Sequence, residues 1–142
     1  MAVGPPAKKE VGLHDELVYM NLHASVREKD DVSIIELSGD IDLFTFPLFK
    51  EVLFEVIDSG KKDLIVDLNS VDFIDSTGLA VLVGALKEVR GIGGTLGLIC
   101  GKEAVVKVLE ASGLNRIFHI YEHHVDYPGD NRTSFLKDSH DE

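Results

Sequence analysis

A chain of 142 residues has a one-domain length and is long enough to bury a single core. Its 25 acidic residues outweigh 14 basic ones, for a formal net charge of -11. That balance disfavours nucleic acid and anionic membrane surfaces and favours a basic protein partner. Apolar residues at 44% and charged residues at 27% exclude a fibrous or repeat protein, and the single cysteine, Cys100, excludes an internal disulfide. Residues 1–10 hold no apolar core of signal-peptide type, and no apolar run approaches the ~20 residues that span a bilayer. A soluble, cytoplasmic protein is expected.

Residues 1–14, with Pro5-Pro6 and two lysines, are expected to form a disordered tail. Met20, Leu22, Ala24 and Val26 alternate with polar residues and predict a first strand. Lys29-Asp30-Asp31 is a turn. Val32, Ile34, Ile35 and Leu37 predict a second strand, antiparallel to the first because the link is short. Thr45 is a candidate cap and Pro47 suits a first helical turn. Leu48, Phe49, Val52, Leu53, Val56 and Ile57 then recur at helical spacing up to Gly60. Leu64-Ile65-Val66 reads as a central strand covered on both faces.

A second helix is expected from about Thr77 to Arg90, with Leu79, Leu82, Val83 and Leu86 inward. Leu96 to Cys100 predicts a strand, Lys102 to Ser112 a third helix, and Ile117 to Ile120 a last strand. The polar residues 126–142 are expected to form a C-terminal tail, leaving one domain over 15–125. The order β-β-α-β-α-β-α-β implies an α/β fold with a mixed, mostly parallel sheet of about five strands and three to four helices.

Function in such sheets gathers at the carboxyl ends of the strands. The stretch from Val71 to Leu79 follows the central strand and opens the second helix, so Ser76 falls at a helix N-terminus. There unpartnered N–H groups and the helix dipole receive a phosphate. A capping role for Ser76 or for Asp75 fits the same position. Ala80, Val81 and Gly84 lie off the expected inward stripe, as a small apolar face suited to close docking or to cover by the first helix. Asp40 and Asp42 close the second strand and, with Asp72 and Asp75, predict an acidic rim around Ser76. A new phosphate, at about -1.5 to -2 charges, would be repelled there.

Three segments resemble the anti-sigma-factor antagonists, bacterial members of the STAS-domain fold, over roughly residues 17 to 121. Phe73-Ile74-Asp75-Ser76-Thr77-Gly78-Leu79 is similar to the family's D-S-[ST]-G-L phosphorylation motif. Gly39-Asp40-Ile41-Asp42 resembles its G-E-[IL]-D segment, and Ala111-Ser112-Gly113-Leu114 the S-G-L ending of its third helix. The resemblance implies a binding module and not an enzyme. The unphosphorylated chain would bind an anti-sigma factor that is also a serine kinase, freeing the sigma factor. Phosphorylation of Ser76, with Thr77 as the alternative, would separate the complex, and a metal-dependent serine phosphatase would restore it. ATP and Mg²⁺ would belong to the kinase, so the chain itself needs no cofactor. Asp42 would touch the partner, beside Asp40, Asp75, Thr77, Gly78, Ala80, Val81 and Gly84. A monomer is the default. The family's fourth helix has no clear counterpart in the tail, where Thr133 to Lys137 offers at most a short one.

Other readings are open to the same residues. A STAS module not regulated by phosphorylation, serving as a scaffold or transport-complex subunit, fits all three motifs. Asp67 resembles a receiver-domain acceptor, but the acidic pair and the lysine that such a site needs are missing. A Ser76 nucleophile lacks a G-x-S-x-G frame and an evident base. Glu122, His123, His124 and Asp126 could ligate a metal, yet adjacent histidines on a strand point apart.

Overall fold

Period-two alternation sends Leu22, Ala24 and Val26 to one face of a strand and His23, Ser25 and Arg27 to the other. In the computed structural model, which describes residues 8–10, 16–19 and 21–123, two short strands precede this one. The elements in chain order are β1 (Lys8–Glu10), β2 (Glu16–Tyr19), β3 (Leu22–Lys29), β4 (Val32–Ile41), α1 (Phe46–Asp58), β5 (Asp63–Ile74), α2 (Ser76–Gly91), β6 (Thr95–Ile99), α3 (Glu103–Ala111) and β7 (His119–Tyr121). A 3-10 turn, Leu114–Arg116, links α3 to β7.

The strands form one sheet in the order β1-β2-β3-β4-β5-β6-β7. Pairing is antiparallel from β1 to β4 and parallel from β4 to β7. The five strands β3–β7 are the mixed, mostly parallel sheet expected from the sequence. The N-terminal pair is an addition to the strands expected from the sequence, and of the expected tail over 1–14 only Lys8–Glu10 lies within the described residues. Strand β1 is three residues long, and backbone pairing to β2 (Lys8 opposite Tyr19) defines it. So short an edge strand leaves no periodic signature. The first expected strand begins at Leu22, and the last is shifted to His119–Tyr121. The tail at 126–142, with the expected short helix at Thr133 to Lys137, lies outside the described residues.

Asp30 and Asp31 both have positive φ, 52° and 71°, which makes the tight β3–β4 turn. Helices α1, α2 and α3 pack on one side of the sheet. Phe49, Leu53, Leu82, Val89 and Leu109 join Ile35, Leu37, Val66, Leu68 and Leu98 in one core. Full burial of each such side chain is worth about 1.5–3 kcal/mol, and that burial holds the helices to the sheet.

Candidate functional site

Strand β5 gains two residues on its parallel partner β4. The register slips between Glu36 and Ser38 and again between Gly39 and Asp40. Such bulges bend a strand and re-aim its side chains. Beyond them Asp40 stands opposite Phe73 and Ile41 opposite Ile74, so the two sequence motifs end side by side. The Asp75 N–H then donates to the Ile41 carbonyl at 3.1 Å, latching the start of α2 to the end of β4. Gly39 lets the end of β4 lie close against Asn21, just before β3. Its φ is +111°, and a Cβ there would fall 1.9 Å from the Asn21 carbonyl oxygen.

Asp75 is the N-cap of α2, with extended backbone (φ -111°, ψ -171°). Its Oδ1 accepts from the Thr77 N–H at 2.9 Å and also from the Thr77 hydroxyl. Its carbonyl takes the first helical bond, from Leu79 N–H at 3.1 Å. Asp75 therefore has the capping role, and Ser76 is the first helical residue. Ser76 is exposed, and no described residue bonds its hydroxyl. Thr77 is half-buried with its hydroxyl engaged. Gly78 is buried, and a Cβ there would meet Ile41 Cγ2 at 2.6 Å and Ile74 Cγ1 at 2.8 Å. The motif thus splits its work: Asp caps, Ser is presented, Thr braces the cap, and Gly lets the first turn sit on the strand ends.

The loop from Asp42 to Thr45 is tied to itself. The Asp42 Oδ1 accepts from the N–H groups of Phe44 (2.9 Å) and Thr45 (3.1 Å), with the Thr45 hydroxyl oxygen 3.2 Å away. Thr45, 1% exposed, occupies the N-cap position of α1, yet its hydroxyl makes no cap bond. It accepts from Asp42 N–H at 2.9 Å and donates to the Asp40 carbonyl at 2.7 Å. Asp42 is half-buried, and its carboxylate is used by the loop. Asp40, half-buried at the strand end, is held through its backbone, including a 2.9 Å bond from its N–H to the Asn21 carbonyl. Asp72 is exposed and paired with Lys102 at 2.7 Å.

The same loop presents apolar side chains that the sequence reading did not single out. Leu43 and Phe44 are 62% and 66% exposed, and Phe73, re-aimed by the bulge, is 51% exposed. Exposure in a loop follows no period, so only the placement of two large apolar residues inside a turn could have flagged them. Beside Thr77 opens a groove of about 620 Å³ between α1 and α2, lined by Phe46, Phe54, Ala80, Val81 and Gly84 and by charged Lys50, Lys87 and Glu88. Ala80 is exposed at its lip. Val81 is buried, 6% exposed, as cover by the first helix would have it, whereas Leu79 and Val83, expected inward, are only partly buried. The helix is rotated from the expected stripe because the Gly78 side seats on the strand ends. Gly84 is half-buried on the α1 side, with Phe54 the nearest side chain.

The rival chemistries lack such a frame. Asp67 is 5% exposed in the middle of β5, where its Oδ1 accepts from Asn69 N–H, and β5 runs on to Ile74. A receiver acceptor at a strand end does not fit that position. His23 and His119 alternate onto the sheet face opposite the helices, remote from a Ser76 nucleophile. Glu122 and His123 are exposed, while His124 and Asp126 lie outside the described residues.

Comparison with known proteins places the chain in a family. The sequence model of the STAS domain matches residues 23–127. The anti-sigma-B factor antagonist of Bacillus subtilis is 33% identical over 101 residues, covering 71% of this chain and 92% of that protein. The crystal structure of an anti-sigma factor antagonist from Mycobacterium paratuberculosis superposes with a TM-score of 0.69 at 23% identity, over 83% of this chain and 94% of that one. The phosphorylated form of the Bacillus cell fate determinant SpoIIAA shares the fold, with a TM-score of 0.56 at 20% identity over 70% of this chain and 92% of its own. The chain belongs to the STAS-domain family. No helix among the described residues is long and apolar enough to cross a membrane.

Proposed function

We propose that this protein is an anti-sigma factor antagonist whose Ser76 is the phosphorylation switch. The observation that carries the reading is the contrast between two neighbouring hydroxyls. Ser76 is exposed and unbonded among the described residues, on a helix start fixed by the Asp75 cap, while Thr77 is half-buried and bonded to that cap. A kinase reaches the first and not the second. The names of the relatives support the partner class, since they are antagonists of anti-sigma factors.

In this reading the unmodified chain docks an anti-sigma factor through Leu43, Phe44, Phe73 and the α1–α2 groove, rimmed by Asp40 and Asp75. The partner doubles as a serine kinase. The Ser76 hydroxyl accepts the terminal phosphoryl group of ATP, its proton passes to a base on the kinase, and ADP leaves. The phosphate brings about -1.5 to -2 charges into an apolar, acid-rimmed interface. Stripping its water to bury it against the apolar part of that interface costs several kcal/mol, enough to release the partner. A serine phosphatase resets the chain. The chain is thus a substrate and binding module rather than a catalyst. It works in the cytoplasm as a monomer, with residues 15–125 as the working domain.

The test is phosphate mapping by mass spectrometry after incubation with ATP, Mg²⁺ and lysate of the source cells. Phosphate on Ser76, lost in Ser76→Ala, is expected. Ser76→Ala should keep partner binding and block release, and Ser76→Asp should weaken binding. Phosphate on Thr77 alone would move the site. No phosphate, with a control antagonist modified in the same lysate, would leave a STAS module without a switch.

A further inference from the structure

Leu43 and Phe44 stand well out into water in the turn between β4 and α1. Apolar side chains leave water wherever the backbone lets them, so a slack turn would fold these two onto the protein. This turn is not slack. Asp42 commits three of its groups to it. Its N–H donates to the Thr45 hydroxyl at 2.9 Å. Its carbonyl accepts from Thr45 N–H at 3.1 Å and from Phe46 N–H at 2.9 Å. Its Oδ1 takes the Phe44 N–H and shares that of Thr45. Buried Thr45 fastens the other side, its hydroxyl donating to the Asp40 carbonyl near the end of β4. Asp42 and Thr45 thus close a ring around Leu43 and Phe44, tied to β4 at one end and to α1 at the other.

We propose that Asp42 and Thr45 are positioning residues. They hold the turn in the form in which Leu43 and Phe44 meet the anti-sigma factor, a role that rests on the antagonist reading above. Asp42 then acts through those two side chains and not as a charge set against the partner. A turn that becomes ordered only on binding weakens the complex by the free energy of ordering it, whereas one ordered beforehand does not. A charge facing the partner would instead steer association and be screened by salt. The two roles separate at Asp42→Asn, which keeps the Oδ1 acceptor and removes the charge.

Two readouts test this. In the free chain, NMR amide exchange at Phe44 and Thr45 should be slow in the wild type and in Asp42→Asn, and faster in Asp42→Ala. Affinity is then measured, on variants shown by circular dichroism to be folded, across a salt series. The probe is the source cells' anti-sigma factor, isolated as the kinase that modifies Ser76. Asp42→Ala should bind about tenfold more weakly. Asp42→Asn should stay within about threefold of wild type, with the same salt dependence. Thr45→Ser should follow the wild type and Thr45→Val should follow Asp42→Ala. In a Leu43→Ser, Phe44→Ser background, Asp42→Ala should cost no further affinity, since its effect passes through those side chains. Asp42→Asn as weak as Asp42→Ala, with a flatter salt series, would overturn the proposal in favour of direct charge contact. Full affinity in Asp42→Ala with its Phe44 amide released would show that the order of the turn does not matter to docking. Failure to find any Ser76 kinase would sink the antagonist reading and the docking role with it, and the exchange data, which need no partner, tell that failure from a failure of the ring.

Discussion

Asp75 and Ser76 divide a role that the sequence offers to either of them. Both are good caps, and helix propensity alone does not choose. The choice is made by the latch to Ile41, which leaves Asp75 extended and pushes Ser76 into the first turn. Replacing Asp75 by Ala removes the acceptor for Thr77 and should cost about 1 kcal/mol of stability, read from a denaturant midpoint. It should also release the Thr77 hydroxyl, so trace phosphorylation at Thr77 is expected in that variant under the mass-spectrometric assay. Cys100 behaves differently. Burial pushes its thiol above the ordinary value of 9.0, with a smaller opposing bond from Lys102. Its folded pKa lies above its unfolded one, so its contribution to stability is whole below pH 9 and lost as pH rises toward the folded value. Alkylation of the native protein at neutral pH should therefore lag far behind alkylation of the unfolded chain, followed by mass shift. Equal rates would mean that the strand end opens readily.

Helices α1, α2 and α3 were legible because their apolar residues recur at helical spacing, and β3 to β6 because theirs alternate or run together. The two bulges of β5 were not legible. Each inserts one residue into a run that still reads as strand, and only the partner's register reveals it. That is why the outward turn of Phe73 was missed while the neighbouring serine was found. The glycines of α2 also looked alike in the sequence but differ in the fold. At Gly78 a methyl group runs into Ile41 and Ile74, so Gly78→Ala should destabilise by about 1–3 kcal/mol. At Gly84 a methyl group would sit 3.7 Å from Phe54, an ordinary contact. Gly84→Ala should therefore stabilise by about 1 kcal/mol through helix propensity. Denaturant midpoints of the pair, moving in opposite directions, check the assignment; two losses would place Gly84 in a tight contact as well.

Across the whole molecule, the order of strands and the single-sided placement of the helices follow from chain order and right-handed crossovers, both readable before any coordinates. What chain order does not carry is the antiparallel pair added at the N-terminal edge, three and four residues long, too short for a periodic pattern. The net charge of -11 belongs to this scale too. With that charge, association with a basic anti-sigma factor should be steered and should slow as salt rises. Stopped-flow association rates across an ionic-strength series read this directly, and a flat series would assign recognition to the apolar groove alone.

The bond between Asp75 and Ile41 also bears on timing. On the proposed cycle, the modified hydroxyl stands on a helix start already pinned to two strands, so writing or erasing the phosphate waits on no refolding. Such a switch keeps no memory of its history. Its state at any moment is the running balance of kinase and phosphatase, and the output of the freed sigma factor fades as fast as the phosphate is put back.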